Sequence, residues 1–360
     1  MSAKIEVLDI QLLSGKEVAA IDSFVETSPF GNIFQTIKWG RVCNSALGCK
    51  SYVIMARDAE KILGTLLFTE FLKTKHFIAE DGPVLISDDS QLFNQLYECY
   101  SSFCQKARCR RFELHILPYY SFSKTLKLFN WRATREIHGS LEEIWKGLDR
   151  KSIRHSIKTA MKKDVIIFQV TERDDYLHHL RLAKLSKIRG NCPLHLNPFV
   201  KNDRKLLNAI IDYLPNNHVL FCAKFRDQYI ASALWLYFGK SAYYYDVGLD
   251  FNYKEFNAAD FLMWRSIEFL NKLGIDKIDL MGLSSSSSSM FKRKWSDELV
   301  SNRYFIWTRP DFYVAQVLSS PDSVLDIKHF LKSVIRHSKI NRATSVPKKN
   351  LGSRQLDGRF

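Results

Sequence analysis

Long hydrophobic runs and paired cysteines are both missing from this sequence. No run of about 18 or more uncharged apolar residues occurs, so no membrane-spanning helix is predicted. The seven cysteines are odd in number and none belongs to a C-x-x-C pair, which argues against a structural zinc site and favours a reducing compartment. The N-terminal stretch carries early acidic residues and no apolar segment before a small-residue cleavage site, so we expect a cytoplasmic protein.

The short motifs of several enzyme classes are missing as well. The sequence has no H-x-x-x-H, no G-x-S-x-G, no Walker-type phosphate loop and no paired-carboxylate motif. Metal hydrolases, serine hydrolases and nucleoside triphosphatases therefore find no support, and no metal site is predicted. Zinc-finger and RNA-recognition signatures are also missing, so nothing indicates a dedicated nucleic-acid module.

What is present is a chain rich in apolar and basic residues. With 46% hydrophobic and 13% aromatic residues, its 360 residues can bury substantial cores. The formal charge of +15 is unevenly spread, because residues 328–360 hold nine Lys or Arg against one Asp. This polybasic tail is either a solvated segment or a contact for an anionic membrane surface or nucleic acid.

The sequence contains an internal duplication. Residues 51–85 and 219–248 each consist of three apolar runs separated by short polar or Gly/Ser turns, a pattern typical of an antiparallel meander. Each meander precedes a helical pattern and a further apolar run, and the copies are separated by roughly 166 positions. The second helical pattern, 257–274, has Asn257 as its candidate N-cap, Asp260 in its first turn and Gly274 at its end.

The duplication predicts an α+β protein in which each copy is a mixed, largely antiparallel sheet flanked by helices. We assign the first copy to residues 1–140 and the second copy, with the predicted active cleft, to residues 141–310. Residues 311–360 are assigned to a helical and basic tail. A repeat of this length indicates a duplicated domain and not a solenoid.

Four short stretches resemble landmarks of one enzyme family. They are FQTIKW at 34–39, DGPVL at 81–85, the basic stretch at 141–165 and IDLMGLSSSSSSMFKRKW at 278–295. In this order they resemble the FemAB-like (peptidoglycan bridge) aminoacyltransferases, a branch of the GNAT acyltransferase superfamily. The resemblance implies tandem duplicated GNAT-like domains and an enzyme that moves an acyl or aminoacyl group onto an amine.

The sequence departs from the family pattern at several positions. His155 and Ser156 replace the usual Arg-Asn of the basic helix, and Lys294 replaces a glycine. The Q/R-x-x-G-x-G/A loop that GNAT acetyltransferases use to hold coenzyme A is missing, since residues 251–260 contain no glycine. This favours a donor such as aminoacyl-tRNA over acyl-CoA, and no permanently bound cofactor is expected.

Lys292 is the first predicted catalytic residue. Within the resemblance it matches the lysine of F-K-x-G-F, which is assigned to stabilising the transition state and the substrate phosphates. A lysine fixed beside a reacting carbonyl can stabilise the oxyanion in a dry site. Phe291 and Trp295 flank it as apolar anchors, whereas Arg293 and Lys294 are interpreted as surface charges.

Asp279, on the strand before the serine run, is the second predicted catalytic residue. It either orients Lys292 or accepts a proton from the amine, and the alternative is a structural pair with a base such as Lys277. Tyr243 and Tyr245 alternate onto one face of the third strand of the second meander. There they either pack in the core or cleft wall or contact the substrate.

The basic helix carries further predicted substrate contacts. Apolar residues recur at helical spacing at Ile153, Ile157, Ala160 and Met161, beside a stripe of Arg154, Lys158 and Lys162. These cations either form a solvated face or hold the phosphates of a nucleotide-linked or lipid-linked substrate or of tRNA. The predicted substrate-binding residues are Arg154, Lys158, Lys151, Tyr243, Tyr245 and Trp39.

Three functions remain open from the residues alone. The leading hypothesis is transfer of an acyl or aminoacyl group to an amine of an envelope-related or sugar-linked acceptor, either a small molecule or lipid-linked, with tRNA as a candidate partner. The first alternative is an acyl-CoA-dependent GNAT N-acetyltransferase. The second is a non-catalytic GNAT-like adaptor that binds nucleic acid or a membrane surface.

Two loops complete the prediction. The six serines at 284–289 are interpreted as a mobile loop of the second copy that leaves the cleft open beside Lys292 and orders over bound substrate. A Pro-interrupted loop at 189–199 holds His195, a candidate general base without a visible partner.

Overall fold

A computed structural model of the chain describes residues 3–117, 120, 128–189, 202–283 and 287–309. The basic tail, the loop with His195 and residues 284–286 of the serine run lie outside the described residues. Residues 1–307 form one unit, and residues 308–360 form a second, of which Thr308 and Arg309 are described.

The strands follow the predicted duplication. The first copy contributes β1 (Lys4–Asp9), β2 (Lys50–Asp58), β3 (Lys61–Phe71), β4 (His76–Ala79), β5 (Val84–Leu85), β6 (Arg111–Ile116) and β7 (Leu128–Glu136). The second copy contributes β8 (Val165–Gln169), β9 (His218–Phe225), β10 (Gln228–Phe238), β11 (Ser241–Leu249), β12 (Lys277–Gly282) and β13 (Glu298–Thr308).

Nine α-helices flank these strands within the described residues. They are α1 (Gly15–Thr27), α2 (Ile37–Leu47), α3 (Ser90–Lys106), α4 (Leu141–Gly147), α5 (His155–Lys162), α6 (Asp175–Arg189), α7 (Asp203–Tyr213), α8 (Ala258–Lys272) and α9 (Ser287–Trp295). A π-helical turn, Arg150–Arg154, leads into α5, and 3-10 turns lie at Ile33–Gln35 and Phe251–Phe256. None of the described helices has the length and apolarity that a membrane crossing requires.

The two copies repeat one topology. In the first, the antiparallel strands β2, β3 and β4 precede α3 and then β6, which pairs with β4 in parallel. In the second, β9, β10 and β11 precede α8 and then β12, which pairs with β11 in parallel. The hairpins of the second copy turn where Arg226 and Gly239 adopt positive φ angles of 52° and 55°. The predicted duplication and the α+β class are confirmed.

One mixed sheet joins both copies and exchanges strands between them. Within the described residues its order is β1-β2-β3-β4-β6-β13-β7-β12-β11-β10-β9-β8, with β5 paired to β3. Strand β13 therefore lies between β6 and β7, and β7 pairs with β12 of the second copy. The domain boundary between residues 140 and 141 stays a prediction, since the strands on either side of it are interleaved in the sheet.

A shared apolar core packs the copies together. Ile37 and Val42 of α2 belong to the same buried cluster as Leu206 and Ile210 of α7. Helix α2 starts where the Thr36 hydroxyl accepts the backbone N–H of Trp39, so the FQTIKW stretch turns its apolar residues into this core. The packing places elements from both copies on opposite sides of one cleft.

The end of the serine run differs from its prediction as a loop. Residues 287–289 form the first turn of α9, so the predicted loop is wrong for this part of the run. Phe291 and Trp295 are four apart on this helix, as predicted for two apolar anchors, and Trp295 is completely buried. A packed helix extends into preceding serines at little cost, because serine has an ordinary helix propensity.

Lys294 is not the surface charge predicted from the sequence. Its Nζ lies 2.9 and 2.8 Å from the two carboxylate oxygens of Asp260, and the indole N–H of Trp295 donates to the same carboxylate at 2.8 Å. Asp260, in the first turn of α8 as predicted, thus holds α9 against α8. Asn257 is the N-cap residue of α8, as predicted, but it adopts a φ of 53° and its side chain makes no cap hydrogen bond.

The basic helix has the predicted apolar face with one exception. Ile153, Ile157 and Ala160 are buried, but Met161 is half exposed. Helix α5 ends at the next residue, and the chain turns at Asp164, where φ is 55°, to enter β8. Met161 therefore lies at the end of the helix, outside the packed face.

We expect Asp260→Ala to lower the free energy of unfolding by about 3 kcal/mol, because it leaves the buried Trp295 N–H and the Lys294 ammonium without their acceptor. Chemical denaturation measures this loss. Glu268→Ala on the same helix removes a partly exposed pair with Arg265 and should cost less than about 0.5 kcal/mol. Equal losses for the two variants would contradict the assigned role of Asp260.

Candidate active site

A cleft of about 360 Å³ opens between the two copies. Elements from both copies line it: α2 and the turn before it, the segment after β4, strands β6, β7, β11, β12 and β13, and helices α6 and α7. The lining includes Phe34, Trp39, Glu80, Asp81, His115, Arg132, Lys187, Asp203, Tyr245, Asp246, Gly282 and Asn302.

A buried arginine holds the cleft together. Arg132 of β7 is 4% exposed, and its two terminal nitrogens lie 2.6 Å from Asp81 Oδ2 and 2.8 Å from Asp279 Oδ2. Burial by itself lowers the pKa of the guanidinium, but the charges of Asp279 and Asp81 outweigh burial and raise it above its ordinary value. Arg132 is therefore a permanent cation between one carboxylate of each copy.

The Lys292 side chain contacts the cleft lining at Gly282. Its Nζ donates to the Gly282 carbonyl at 2.8 Å, which uses one of the three ammonium hydrogens. The pKa of Lys292 is lowered to about 8, because burial and the positive charge of Arg132 together outweigh the nearby Asp279 carboxylate, which raises it. The ammonium is thus partly deprotonated near neutral pH, unlike an ordinary surface lysine.

A bulge in β12 presents the Gly282 carbonyl. The pairing of β12 with β7 shifts register between Asp279 and Gly282, and Met281 adopts a φ of 65°. The Asp279 carboxylate accepts the Met281 backbone N–H at 2.6 Å and so stabilises the bulge. Asp279 therefore acts on Lys292 through its charge and through the backbone that receives Lys292, with Arg132 as its ion-pair partner.

Glu80 is a carboxyl group of the cleft lining whose pKa is raised above its ordinary value. Burial raises its pKa, and the neighbouring Asp81 charge raises it further. The charges of His115 and Arg132 and a hydrogen bond with Trp39 lower it, but the net shift is upward. A carboxyl group with a raised pKa beside a substrate pocket is suited to accept and return a proton.

An aromatic wall borders the same cleft. Phe34 contacts Tyr243 edge-on at 5.0 Å between ring centroids and lies 6.4 Å from Tyr245. Trp39 also contacts Tyr245 edge-on, at 5.7 Å. The two tyrosines therefore face the same side of β11, as their alternation predicts, although Tyr245 lines the cleft and Tyr243 packs behind it.

A second shared cation lies on the opposite wall. Lys187 of α6 is 3.0 Å from Asp203 and 3.2 Å from Asp246. Burial lowers the pKa of Lys187, but these two carboxylates outweigh burial and raise it. Arg132 and Lys187 are thus each shared by two acids, so the described lining carries an excess of negative charge that favours a cationic ligand.

The interior side of this wall contains a serine, a histidine and an aspartate in contact. His179 Nδ1 lies 2.9 Å from Ser232 Oγ, and His179 Nε2 lies 3.5 Å from Asp246. Ser232 is 1% exposed on β10, the middle strand of the second meander, so it cannot reach a substrate as a nucleophile. His179, held by Ser232, thus fixes Asp246 in place.

The structure brings together only part of the predicted site. Lys292 and Asp279 interact electrostatically, and Trp39 and Tyr245 line the cleft. Arg154, Lys158 and Lys151 lie on α5 and the preceding π-helical turn and do not line it. Their binding role stays a prediction. Asp279 does pair with a base, as the structural alternative proposed, but that base is Arg132, and Lys277 pairs with Glu136 at 3.2 Å.

Sequence reasoning missed most of the charged lining. Glu80 and Asp81 directly follow β4, and the quoted DGPVL stretch already contained Asp81. Arg132, Lys187 and Asp246 gave no local signal, because each became significant only when a partner remote in sequence was placed beside it. Among the described residues, no cluster of His, Cys, Asp and Glu is arranged to hold a metal ion.

Comparisons with known proteins agree with this architecture. Residues 17–128 match the model of the FemAB family, and residues 149–293 match that of the acetyltransferase (GNAT) domain. No curated protein matches the sequence.

Three solved structures share the fold at low identity. FemX matches at 13% identity with a TM-score of 0.66, covering 87% of this chain and 99% of its own. The C-terminal domain of a proposed lysylphosphatidylglycerol synthetase from Agrobacterium fabrum matches at 12% identity with a TM-score of 0.54, covering 84% of this chain and 95% of its own. A tandem GNAT protein from the clavulanic acid biosynthesis pathway matches at 8% identity with a TM-score of 0.53, covering 85% of this chain and 98% of its own.

The match of residues 149–293 to the acetyltransferase (GNAT) domain and the match of residues 17–128 to the FemAB family support an acyltransferase. The likeness to FemX and to a tandem GNAT protein shows a shared fold. An enzyme of this class is favoured over the non-catalytic adaptor considered from the sequence.

We expect Asp279→Asn to lower the pKa of Lys292 below its value of about 8, because the nearby negative charge that favours the ammonium is removed while Arg132 remains. Nitrogen NMR of the Lys292 side chain across a pH titration measures the shift. Asp276→Asn, which removes only a surface partner of Lys240, serves as the matched control. An unchanged or raised pKa in Asp279→Asn would contradict the coupling.

Proposed function

We propose that this acyltransferase moves an aminoacyl group from an activated ester onto a primary amine of an envelope-related or sugar-linked acceptor. One observation carries the proposal. Lys292, with a pKa of about 8, and Glu80, with a raised pKa, interact with the same buried Arg132 at a cleft between two GNAT-like copies. A cation for the oxyanion and a base for the amine are the two groups that acyl transfer to an amine requires.

The reaction follows from these two groups. The neutral amine attacks the carbonyl carbon of the donor, a C–N bond forms, and the carbonyl oxygen becomes an oxyanion. The Lys292 ammonium stabilises that oxyanion with the hydrogens that Gly282 does not take. The amine gives a proton to the Glu80 carboxylate, the acyl C–O bond breaks, and the same proton returns to the leaving oxygen.

The donor is proposed to be an aminoacyl ester such as aminoacyl-tRNA. The FemAB match supports this choice. The connection between β11 and α8 supports it too, because it is the 3-10 turn Phe251–Phe256 and contains no glycine to bring backbone N–H groups against a diphosphate. No permanently bound cofactor is required by this mechanism. Arg154, Lys158 and Lys151 are the residues proposed to contact tRNA or other substrate phosphates.

The acceptor is proposed to present an amine, either on a small molecule or on a lipid. The acid excess of the cleft supports a group that can be positively charged. The fold shared with a proposed lysylphosphatidylglycerol synthetase supports a lipid-linked alternative. Contact of the basic tail with an anionic membrane remains part of this proposal, and so does a cytoplasmic location.

An acyl-CoA donor is the second candidate. The match of residues 149–293 to the acetyltransferase (GNAT) domain favours it, and so does the fold shared with a tandem GNAT protein. Under this alternative the cleft chemistry is unchanged, except that a C–S bond breaks and the leaving group is a thiol.

We expect Lys292→Met to lower kcat for acyl transfer by about 100-fold or more, because the oxyanion loses its cation. The assay uses radiolabelled aminoacyl-tRNA in one arm and acetyl-CoA in the other, with a mixture of primary amines as acceptors. Arg293→Ala, an exposed neighbour on the same helix, is the matched control and should retain activity.

Each arm of this assay has an outcome that decides the donor. Label transfer from aminoacyl-tRNA alone supports the first candidate, and transfer from acetyl-CoA alone supports the second. Wild-type activity in Lys292→Met would overturn the mechanism for either donor. The thermal stability of this variant must match the wild type for the comparison to hold.

The pH dependence of kcat/KM should be bell-shaped. Glu80 must be deprotonated to accept the amine proton, so activity rises as pH passes its raised pKa. Lys292 must be protonated, so activity falls above about pH 8. Lys292→Arg should move the alkaline limb to higher pH, and Glu80→Gln should remove the acid limb that Glu80 causes. The acceptor amine titrates in the same way with every variant, so a shift between variants reports the enzyme group. An unmoved alkaline limb in Lys292→Arg would contradict the assignment of that limb to Lys292.

A further inference from the structure

Asn302 is a cleft residue to which the reaction assigns no role. It lies on β13, the strand that inserts between the two copies, and is 5% exposed. Its Nδ2 donates to Asp81 Oδ1 at 3.3 Å. Its Oδ1 is buried and has no hydrogen-bond partner within the described residues.

The orientation of the Asn302 amide follows from its neighbour. Asp81 holds the Arg132 guanidinium with Oδ2, so it is a carboxylate that accepts hydrogen bonds. The amide nitrogen of Asn302 must therefore face Asp81, and the amide oxygen must point elsewhere. An acceptor oxygen that is buried without a donor is costly, which indicates that a ligand supplies the missing N–H or O–H.

The surroundings of this oxygen select a class of ligand. Asp81 Oδ1 also keeps a free lone pair, since each carboxylate oxygen can accept about two hydrogen bonds. These two acceptor atoms belong to side chains that are hydrogen-bonded to each other, and they match a group with at least two N–H donors. The ionisable groups nearby are Asp81, Asp279, Glu80, Arg132 and Lys292, so with Glu80 ionised the charge there is one negative unit in excess. A primary ammonium satisfies both conditions, whereas a carboxylate or phosphate is repelled.

We propose that Asn302 Oδ1 and Asp81 Oδ1 form the subsite that receives the primary ammonium of the acceptor. This subsite rests on the proposed function, in which an amine is the nucleophile, and it names the residues that hold that amine before it reacts. Glu80 lines the same cleft. The bound ammonium first releases one proton to solvent, and Glu80 takes the second proton, which the amine gives up when it attacks. Asn302 is a positioning residue that acts by orienting the N–H groups of the acceptor.

Binding of three lysine derivatives to the full chain tests the subsite without any acyl donor. Nα-acetyl-lysine amide carries a primary ammonium, its Nε-trimethyl derivative carries the charge without N–H donors, and its Nε-acetyl derivative carries no charge. We expect the first to bind about tenfold more tightly than the trimethyl derivative, because hydrogen bonds to a charged donor are lost in the latter. Isothermal titration calorimetry measures the three dissociation constants.

A matched pair of variants assigns the preference to Asn302. Asn302→Leu, close in shape and without the amide oxygen, should bring the dissociation constants of the primary and trimethyl derivatives within about twofold of each other. Asn252→Ala, which removes an exposed amide on the 3-10 turn Phe251–Phe256, should leave the tenfold preference intact. A thermal unfolding scan shows whether Asn302→Leu is folded. If this variant does not fold, the binding of the primary and trimethyl derivatives to the wild type still tests the subsite.

The outcomes separate this inference from the proposed function. Equal binding of the primary and trimethyl derivatives by the wild type overturns the subsite, even if Lys292-dependent acyl transfer is observed. An unchanged preference in a folded Asn302→Leu variant overturns it as well. A tenfold preference that Asn302→Leu abolishes supports the subsite, and it does so even if the transfer assay finds no activity with either donor.

Discussion

The buried guanidinium of Arg132 is the contact on which the cleft depends. It joins three segments that are remote in sequence: Asp81 after β4, Arg132 on β7 and Asp279 on β12. A buried cation is stable only when its charge and hydrogen bonds are matched, so neither carboxylate can move independently. Because β7 crosses to the second copy, this ion-pair network fixes both walls of the cleft relative to each other.

The same buried arrangement explains why the pKa values of Lys292 and Glu80 depart from their ordinary values. In a site with little water, charged forms are disfavoured, so the pKa of the Lys292 ammonium falls and that of the Glu80 carboxyl rises. Arg132 and Lys187 each neutralise one of two carboxylates and leave a negative excess. An amine enters such a cleft favourably as an ammonium, releases one proton to solvent, and gives a second proton to Glu80 when it attacks.

Local patterns predicted the elements well. The meanders, α3, α8 and the strands after them lie where period-two runs, charged turns and helical spacing indicated, because these depend on residues close in sequence. The wrong predictions arose where the environment of a residue depends on a partner that is remote in sequence. Lys294 looked like a surface charge until Asp260, 34 residues earlier, was placed beside it, and serines 287–289 looked like a loop until Trp295 anchored their helix.

The sequence alone determined the duplicated α+β architecture and the acyltransferase resemblance, and it predicted Lys292 and Asp279 as site residues. Only the tertiary structure decided that β7 and β13 are exchanged between the copies and that Glu80, Arg132 and Asn302 share one cleft. The reason is physical. Secondary structure follows from neighbours along the chain, whereas charge balance, burial and an unpaired amide oxygen exist only after distant segments have been packed together.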